Sequence, residues 1–178
     1  MALAETTTNP TDFVAYEYEA VRVDRDLEPL YKDAYRNFGW TVEDRETSLP
    51  SAGTVTLKLK RDLRVKNRTR VIELQGECED ALAAIARMER SKTTAATGAA
   101  VGVGLLGAAN LAASIFALNE DMLFVSVAMG VFGLLGWAAT YFVHGRIKAK
   151  KTAQLTPLID GEYAIVRSTS EQAARLRA

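Results

Sequence analysis

Between Lys92 and His144 the only charged side chains are Glu120 and Asp121, and this constrains the chain more than any other feature. Residues 93–118 carry no charge at all. As an α-helix that run would reach roughly 39 Å, and a hydrocarbon core needs about 20 residues. Residues 122–144 supply a second apolar stretch after the polar triplet Asn119-Glu120-Asp121. The pattern predicts two antiparallel transmembrane helices, 93–118 and 122–144, joined by an extracytoplasmic turn at 119–121. A hairpin buried inside a soluble protein is the competing reading. It fits less well, because soluble core helices keep a polar face and these runs are apolar all round.

Basic residues set the orientation. Arg87, Arg90 and Lys92 precede the first stretch, and Arg146, Lys148, Lys150 and Lys151 follow the second, while the turn between has none. The positive-inside rule then places both termini in the cytoplasm. The same cations suit anionic lipid headgroups, although membrane insertion alone also explains them. Trp137, Tyr141 and Phe142 sit where an interfacial aromatic belt belongs. Residues 1–12 lack a basic n-region, so no cleaved signal is expected and the first stretch acts as the insertion signal. With 22 basic and 22 acidic residues the net charge is zero, which argues against nucleic acid as a partner.

Residues 1–11 are small and polar and read as a flexible tail. Residues 12–64 read as a small cytoplasmic α+β head. Tyr16 to Val23 alternates as a strand, with Tyr16, Tyr18 and Ala20 on the apolar side and a bulge before Val21 or Val23. Asp26 is placed to cap a helix in which Leu27, Leu30, Tyr31, Ala34, Tyr35 and Phe38 recur at helical spacing. Gly39 stops that helix, and Trp40 can fold back on Tyr35. Trp40–Thr47 and Thr54–Lys60 are the next strands, joined by the turn Pro50-Ser51-Ala52-Gly53.

Residues 65–92 read as a stalk helix. Val71, Leu74, Cys78, Ala81, Ile85 and Met88 step by three and four, which is a heptad seam. Gly76 weakens this helix without breaking it. The segment 145–178 is patchier, with Pro157 and Gly161 interrupting it, and Thr156-Pro157 starts a fresh helix. It is long enough to lie back along the stalk.

Small residues dominate the first apolar stretch. Ala96, Ala100, Gly104, Ala108 and Ala112 recur every four residues, Gly98 and Gly102 form a GxxxG pair, and Ser126, Gly130, Gly133 and Thr140 act similarly in the second stretch. One face serves the hairpin and another a neighbouring copy, so a homo-oligomer is expected. Asn110 is the one strongly polar side chain deep in a stretch. It is either a functional group or interhelical glue.

Catalytic chemistry has little to build on. His144 is the only histidine, which excludes a His-rich metal site or a His-based triad. Cys78 occupies a seam position, where a buried thiol is expected rather than a nucleophile, and a single cysteine forms no disulfide within the chain. Gly102-Val103-Gly104-Leu105-Leu106-Gly107 matches G-x-G-x-x-G, but it lies inside an apolar helix and joins no strand to a helix. No metal and no cofactor is expected, and the chain reads as non-enzymatic.

The run from Asp26 to Trp40, with the Thr54–Lys60 strand and a two-helix hairpin ending in Lys-rich sequence, resembles small uncharacterised two-pass membrane proteins of Gram-positive bacteria. The resemblance implies a bacterial plasma-membrane location and carries no activity.

The expected architecture is thus a membrane α-helical hairpin extended by cytoplasmic stalk helices, with a small N-terminal β-α-β-β head. The expected role is a self-assembling scaffold or adaptor, with a lipid bilayer, further copies of the chain and a cytoplasmic or membrane protein as partners. A small oligomeric pore or transporter subunit is the alternative.

Overall fold

The computed structural model describes residues 14–47, 53–119 and 122–177. The expected tail at 1–11, most of the Pro50 turn and the centre of the 119–121 turn lie outside those residues. The elements are β1 (Tyr16–Asp24), α1 (Glu28–Asn37), β2 (Thr41–Thr47), β3 (Thr54–Asp62), α2 (Arg68–Asn119) and α3 (Leu123–Arg177). The chain divides into two compact units. One joins the chain up to Ala86 with the segment from Glu162 onward, and the other is Arg87–Gly161.

The first unit is built on a three-stranded antiparallel sheet in the order β1-β3-β2. The last strand therefore sits in the middle, and α1 crosses between the two outer strands. On β3, Val55, Leu57, Leu59 and Arg61 are buried, while Lys58 and Lys60 project from the opposite face. That alternation is a sheet covered on one side. Ala34 and Tyr35 of α1 with Phe38 just after it, Val71, Leu74, Cys78, Leu82 and Ile85 of α2, and Val166 and Ala173 of α3 complete the core.

The α1 stop forms as its sequence dictates. Gly39 adopts φ +92°, and the Trp40 amide donates to the Tyr35 carbonyl at 3.1 Å. The Trp40 and Tyr35 rings then meet edge to face with centroids 6.3 Å apart. The start of α1 differs from expectation. Arg25–Leu27 forms a 3-10 turn, Leu27 takes the N-cap position, and no side chain caps the helix. Asp26 lies one residue too early, because Pro29 in the first turn already fixes where the helix begins.

β1 also differs, by one residue of parity. Its register with β3 is unbroken from Tyr16–Asp62 to Asp24–Thr54, so there is no bulge. Val23 is buried, and Val21, Glu19 and Glu17 share its face, while Tyr16 and Tyr18 are exposed on the other. A strand with period two cannot bury both sets. The irregularity lies instead in β2, between Val42 and Asp44.

The segment expected to form a stalk belongs to this unit as far as Ala86. Its seam is covered by the head and by the C-terminal helix, which leaves Val71, Leu74, Cys78 and Ile85 unavailable for a coiled coil with another copy. α2 runs unbroken through Gly76. α3 is likewise continuous through Pro157 and Gly161, so the expected new helix at Thr156 does not form.

In the second unit the two helices run antiparallel. Each contains a segment long and apolar enough to cross a membrane, with mean hydropathy 1.8. They approach closely at Gly107, Gly133 and Gly136. A Cβ added to Gly107 would lie 3.0 Å from the Gly133 carbonyl oxygen, and one added to Gly133 would meet Leu111 Cγ at 2.6 Å.

Candidate functional site

The most structured chemistry lies between the covered face of the sheet and α2. β3 delivers Arg61 there as the next inward position after Leu59. Its guanidinium donates to Gln75 Oε1 at 2.7 Å and to Glu17 Oε2 at 2.8 Å, and lies 4.3 Å from the centre of the Trp40 ring. Gln75 Oε1 also accepts from the Trp40 indole at 3.0 Å, while Gln75 Nε2 donates to Glu79 Oε1 at 2.6 Å. The Tyr35 hydroxyl donates to the same Glu79 oxygen at 3.1 Å. Gln75 thus joins an arginine and an indole on one side to a carboxylate on the other.

The electrostatics follow from this geometry. Hydrogen bonding to Arg61, aided by Arg68, holds the Glu17 carboxyl below its ordinary range. Loss of hydration raises Glu19 above that range, and the neighbouring Glu79 adds to the effect. Burial and Glu79 together push the Tyr35 hydroxyl far up, so it remains a donor. Cys78 sits beside Thr169 and Ser170, and burial raises its thiol, which keeps it protonated and a poor nucleophile. The bonds at Gln75 Oε1 are buried, while those to Glu17 and Glu79 lie at the margin of the core. The network positions helices against the sheet and offers no free nucleophile. Among the described residues no group of three His, Cys, Asp or Glu side chains is placed to hold a metal.

The C-terminal helix is bound into the same unit by polar contacts. The Arg177 guanidinium donates to the carbonyls of Asn37 at 2.8 Å and Arg36 at 3.2 Å, satisfying the end of α1. Asn67, at φ +52°, donates its side-chain amide to the Leu176 carbonyl at 3.0 Å. A groove of about 420 Å³ runs between α1 and α3, lined by Leu30, Asp33, Asn37, Tyr163, Arg167 and Glu171 among others.

In the second unit the expected packing residues separate into two groups. Gly104, Gly130 and Gly133 face the partner helix, with added Cβ atoms meeting Thr140, Ser114 and Leu111 respectively. Gly98 and Gly102 have nothing within 4 Å, and Ala108 and Ala112 are exposed. The polar link across the hairpin is Ser114 with Ser126, each hydroxyl donating to the other's carbonyl at 2.6 and 2.7 Å. Asn110 is not part of it; its amide donates to Leu106 of its own helix at 2.9 Å. Met88, the last seam position, is half-buried.

Among the basic residues, Arg146, Lys148 and Lys150 are exposed and Lys151 is half-buried. Lys92 is paired with Glu89 at 2.7 Å and mostly covered, which leaves it poorly placed for a headgroup. Arg90 is exposed.

Arg61, Gln75, Glu17 and Glu79 escape a reading that stops at apolar alternation. Their signal was the parity of β3, which extends from Leu59 to Arg61, and the helical spacing of Gln75 and Glu79. No known protein family, curated protein or solved structure matches this chain.

Proposed function

We propose that this chain is a non-enzymatic bacterial membrane scaffold: a two-helix hairpin in the plasma membrane that carries a small self-associating cytoplasmic head. The observation that carries this reading is how the head is closed. Residues before the first apolar segment and residues after the second fold into one unit, which supports a reading with both flanks on one side of a bilayer. The hairpin then pins the head to the membrane at two points.

Three features support the membrane placement. Only 11% of the most apolar 18 residues of each helix is buried within the chain, whereas the core helix of a soluble protein would be mostly covered. Phe116, Phe124, Phe132 and Tyr141 are all more than two-thirds exposed. The exposed cations Arg146, Lys148 and Lys150 follow the second apolar stretch, on the side that the positive-inside rule makes cytoplasmic. The scaffold role draws support from the polar network, which braces the head, and from the outer face of its sheet, which is exposed among the described residues.

A pore or transporter subunit is less well supported. Asn110 is satisfied by its own helix, and the Ser114 and Ser126 hydroxyls satisfy each other's carbonyls, so no polar group is left for a solute path from this set.

Cross-linking in intact cells with capture through a C-terminal tag tests the proposal. Self-links within a membrane fraction are expected. A chain that stays monomeric and captures nothing, or one found in the soluble fraction, would overturn it.

A further inference from the structure

The outer strand β1 has one edge paired to β3, and among the described residues nothing pairs with the other. The Leu63 amide donates to the Ala15 carbonyl at 3.0 Å and the Arg25 amide to the Gly53 carbonyl at 2.9 Å. These two bonds bracket the ladder and fix its phase. Odd-numbered residues of β1 bond to β3, so the N–H and C=O groups of Tyr16, Tyr18, Ala20 and Arg22 face the other edge. Among the described residues that edge is open from Tyr16 to Arg22 in straight register, and an open edge is a template for another strand.

We propose that a second copy of this chain occupies that edge, its β1 pairing antiparallel about a two-fold axis at Ala20, so that two heads share one six-stranded sheet. This deepens the self-assembly reading and rests on it. The sequence of β1 is self-complementary in this register. Tyr18 lies opposite Arg22, Tyr16 opposite Asp24, Glu17 opposite Val23 and Glu19 opposite Val21, so no like charges face each other. Tyr18 is 64% exposed, and the Arg22 guanidinium is held over the outer face by two bonds to Thr54 Oγ1 at 3.0 and 3.2 Å. Pairing sets that guanidinium beside the partner's Tyr18 ring, a cation–π contact repeated by the symmetry. About six backbone hydrogen bonds form, two for each of the three central pairs from Tyr18 to Arg22. The other edge is a poorer template. β2 is bulged and carries Glu43, Asp44 and Glu46 within seven residues, features that keep sheet edges apart.

The test uses the full chain in native membranes, treated with a mild thiol oxidant. At the two-fold axis the Ala20 Cα atoms of two copies would be about 5.5 Å apart, inside the range a disulfide spans. Ala20→Cys is expected to give at least about tenfold more disulfide-linked dimer than Thr47→Cys on β2, or than the parent with only its buried Cys78. Ala20→Pro removes an N–H that β3 does not use, so it is expected to keep the fold and abolish dimers seen by amine cross-linking. Hydrogen exchange across β3 checks that fold. If the proline variant misfolds, the disulfide result decides alone. Amine-linked dimers without the Ala20 disulfide would overturn the β1 interface and leave self-assembly standing. A monomer in every assay would overturn both.

Discussion

Replacing Arg61, a side chain that is 4% exposed, with Met keeps an unbranched apolar stem and removes the guanidinium with its charge. Three interactions go with it: the 2.7 Å bond to Gln75, the 2.8 Å bond to Glu17 and the contact with the Trp40 ring. A hydrogen bond to a charged group is worth about 1.5–3 kcal/mol, and a desolvated cation–π contact about 1–2 kcal/mol. Against this stands the cost of burying a guanidinium, which the variant no longer bears. Neither former partner is stranded. Gln75 still accepts from Trp40, and Glu17 remains partly in water with Arg68 at 3.5 Å. The net loss should therefore be about 2 kcal/mol, below the 3–5 kcal/mol of a fully buried pair broken on one side. Hydrogen exchange of the β3 amides in the intact, detergent-solubilised chain reads this directly, as opening about thirtyfold more frequent. The pH dependence gives an independent check. Glu17 has its carboxyl lowered chiefly by Arg61, so its contribution is present above the ordinary value of 4.5 and lost as pH falls through the lowered one. The gap between parent and variant should thus be widest at neutral pH and narrow in acid. Unchanged exchange, or a variant more stable than the parent, would refute the view that Arg61 braces the sheet against α2.

Glu19 should behave in the opposite sense. Its carboxyl is raised by lost hydration, so the ionised form weakens the head above that raised value; Glu19→Gln should stabilise at neutral pH, and the gain should vanish below pH 4.5, as followed by thermal melting at several pH values. Gly39→Ala forces a side chain into φ +92° and against Arg177 Cζ at 3.0 Å; we expect a loss of about 1–2 kcal/mol, of which Arg177→Ala restores only the steric part, measured by the same melts as a double-mutant cycle. In the hairpin, Gly133→Val should destabilise the full chain in detergent strongly, because even a Cβ meets Leu111 at 2.6 Å, whereas Gly98→Ala should be close to neutral in the same melts.

Much of the head was legible because local signals agreed. Gly39, Trp40 and Tyr35 form a helix stop whose chemistry is contained within six residues. The β3 alternation located a half-covered strand without ambiguity. The two apolar helices were visible from charge alone. What stayed hidden depends on contacts distant in sequence. Tyr16 and Tyr18 look like the buried face of β1 because tyrosine is more apolar than glutamate. The face is decided instead by Val21 and Val23, and Glu17 is tolerated inside because Arg61, some forty residues on, supplies the opposite charge. The heptad seam at Val71 to Ile85 looks the same whether it meets another copy or α1 and the end of α3. Only the return of the chain from Glu162 onward distinguishes the two. Gly107 and Gly136 were obscured in a helix rich in small residues, since spacing identifies several candidate faces and only the partner's position selects one.

The most direct test of the account is the side of the membrane on which each part of the chain lies. With Cys78 replaced by Ala, the single-cysteine variants Thr56→Cys in the head, Arg167→Cys in the C-terminal helix and Met122→Cys near the connecting turn can be exposed in intact cells to a thiol reagent that does not cross membranes. The account predicts labelling at Met122→Cys alone, with Thr56→Cys and Arg167→Cys reacting together only after permeabilisation. Labelling that separates Thr56→Cys from Arg167→Cys, or that treats all three alike, would contradict a head closed by both flanks of a membrane hairpin.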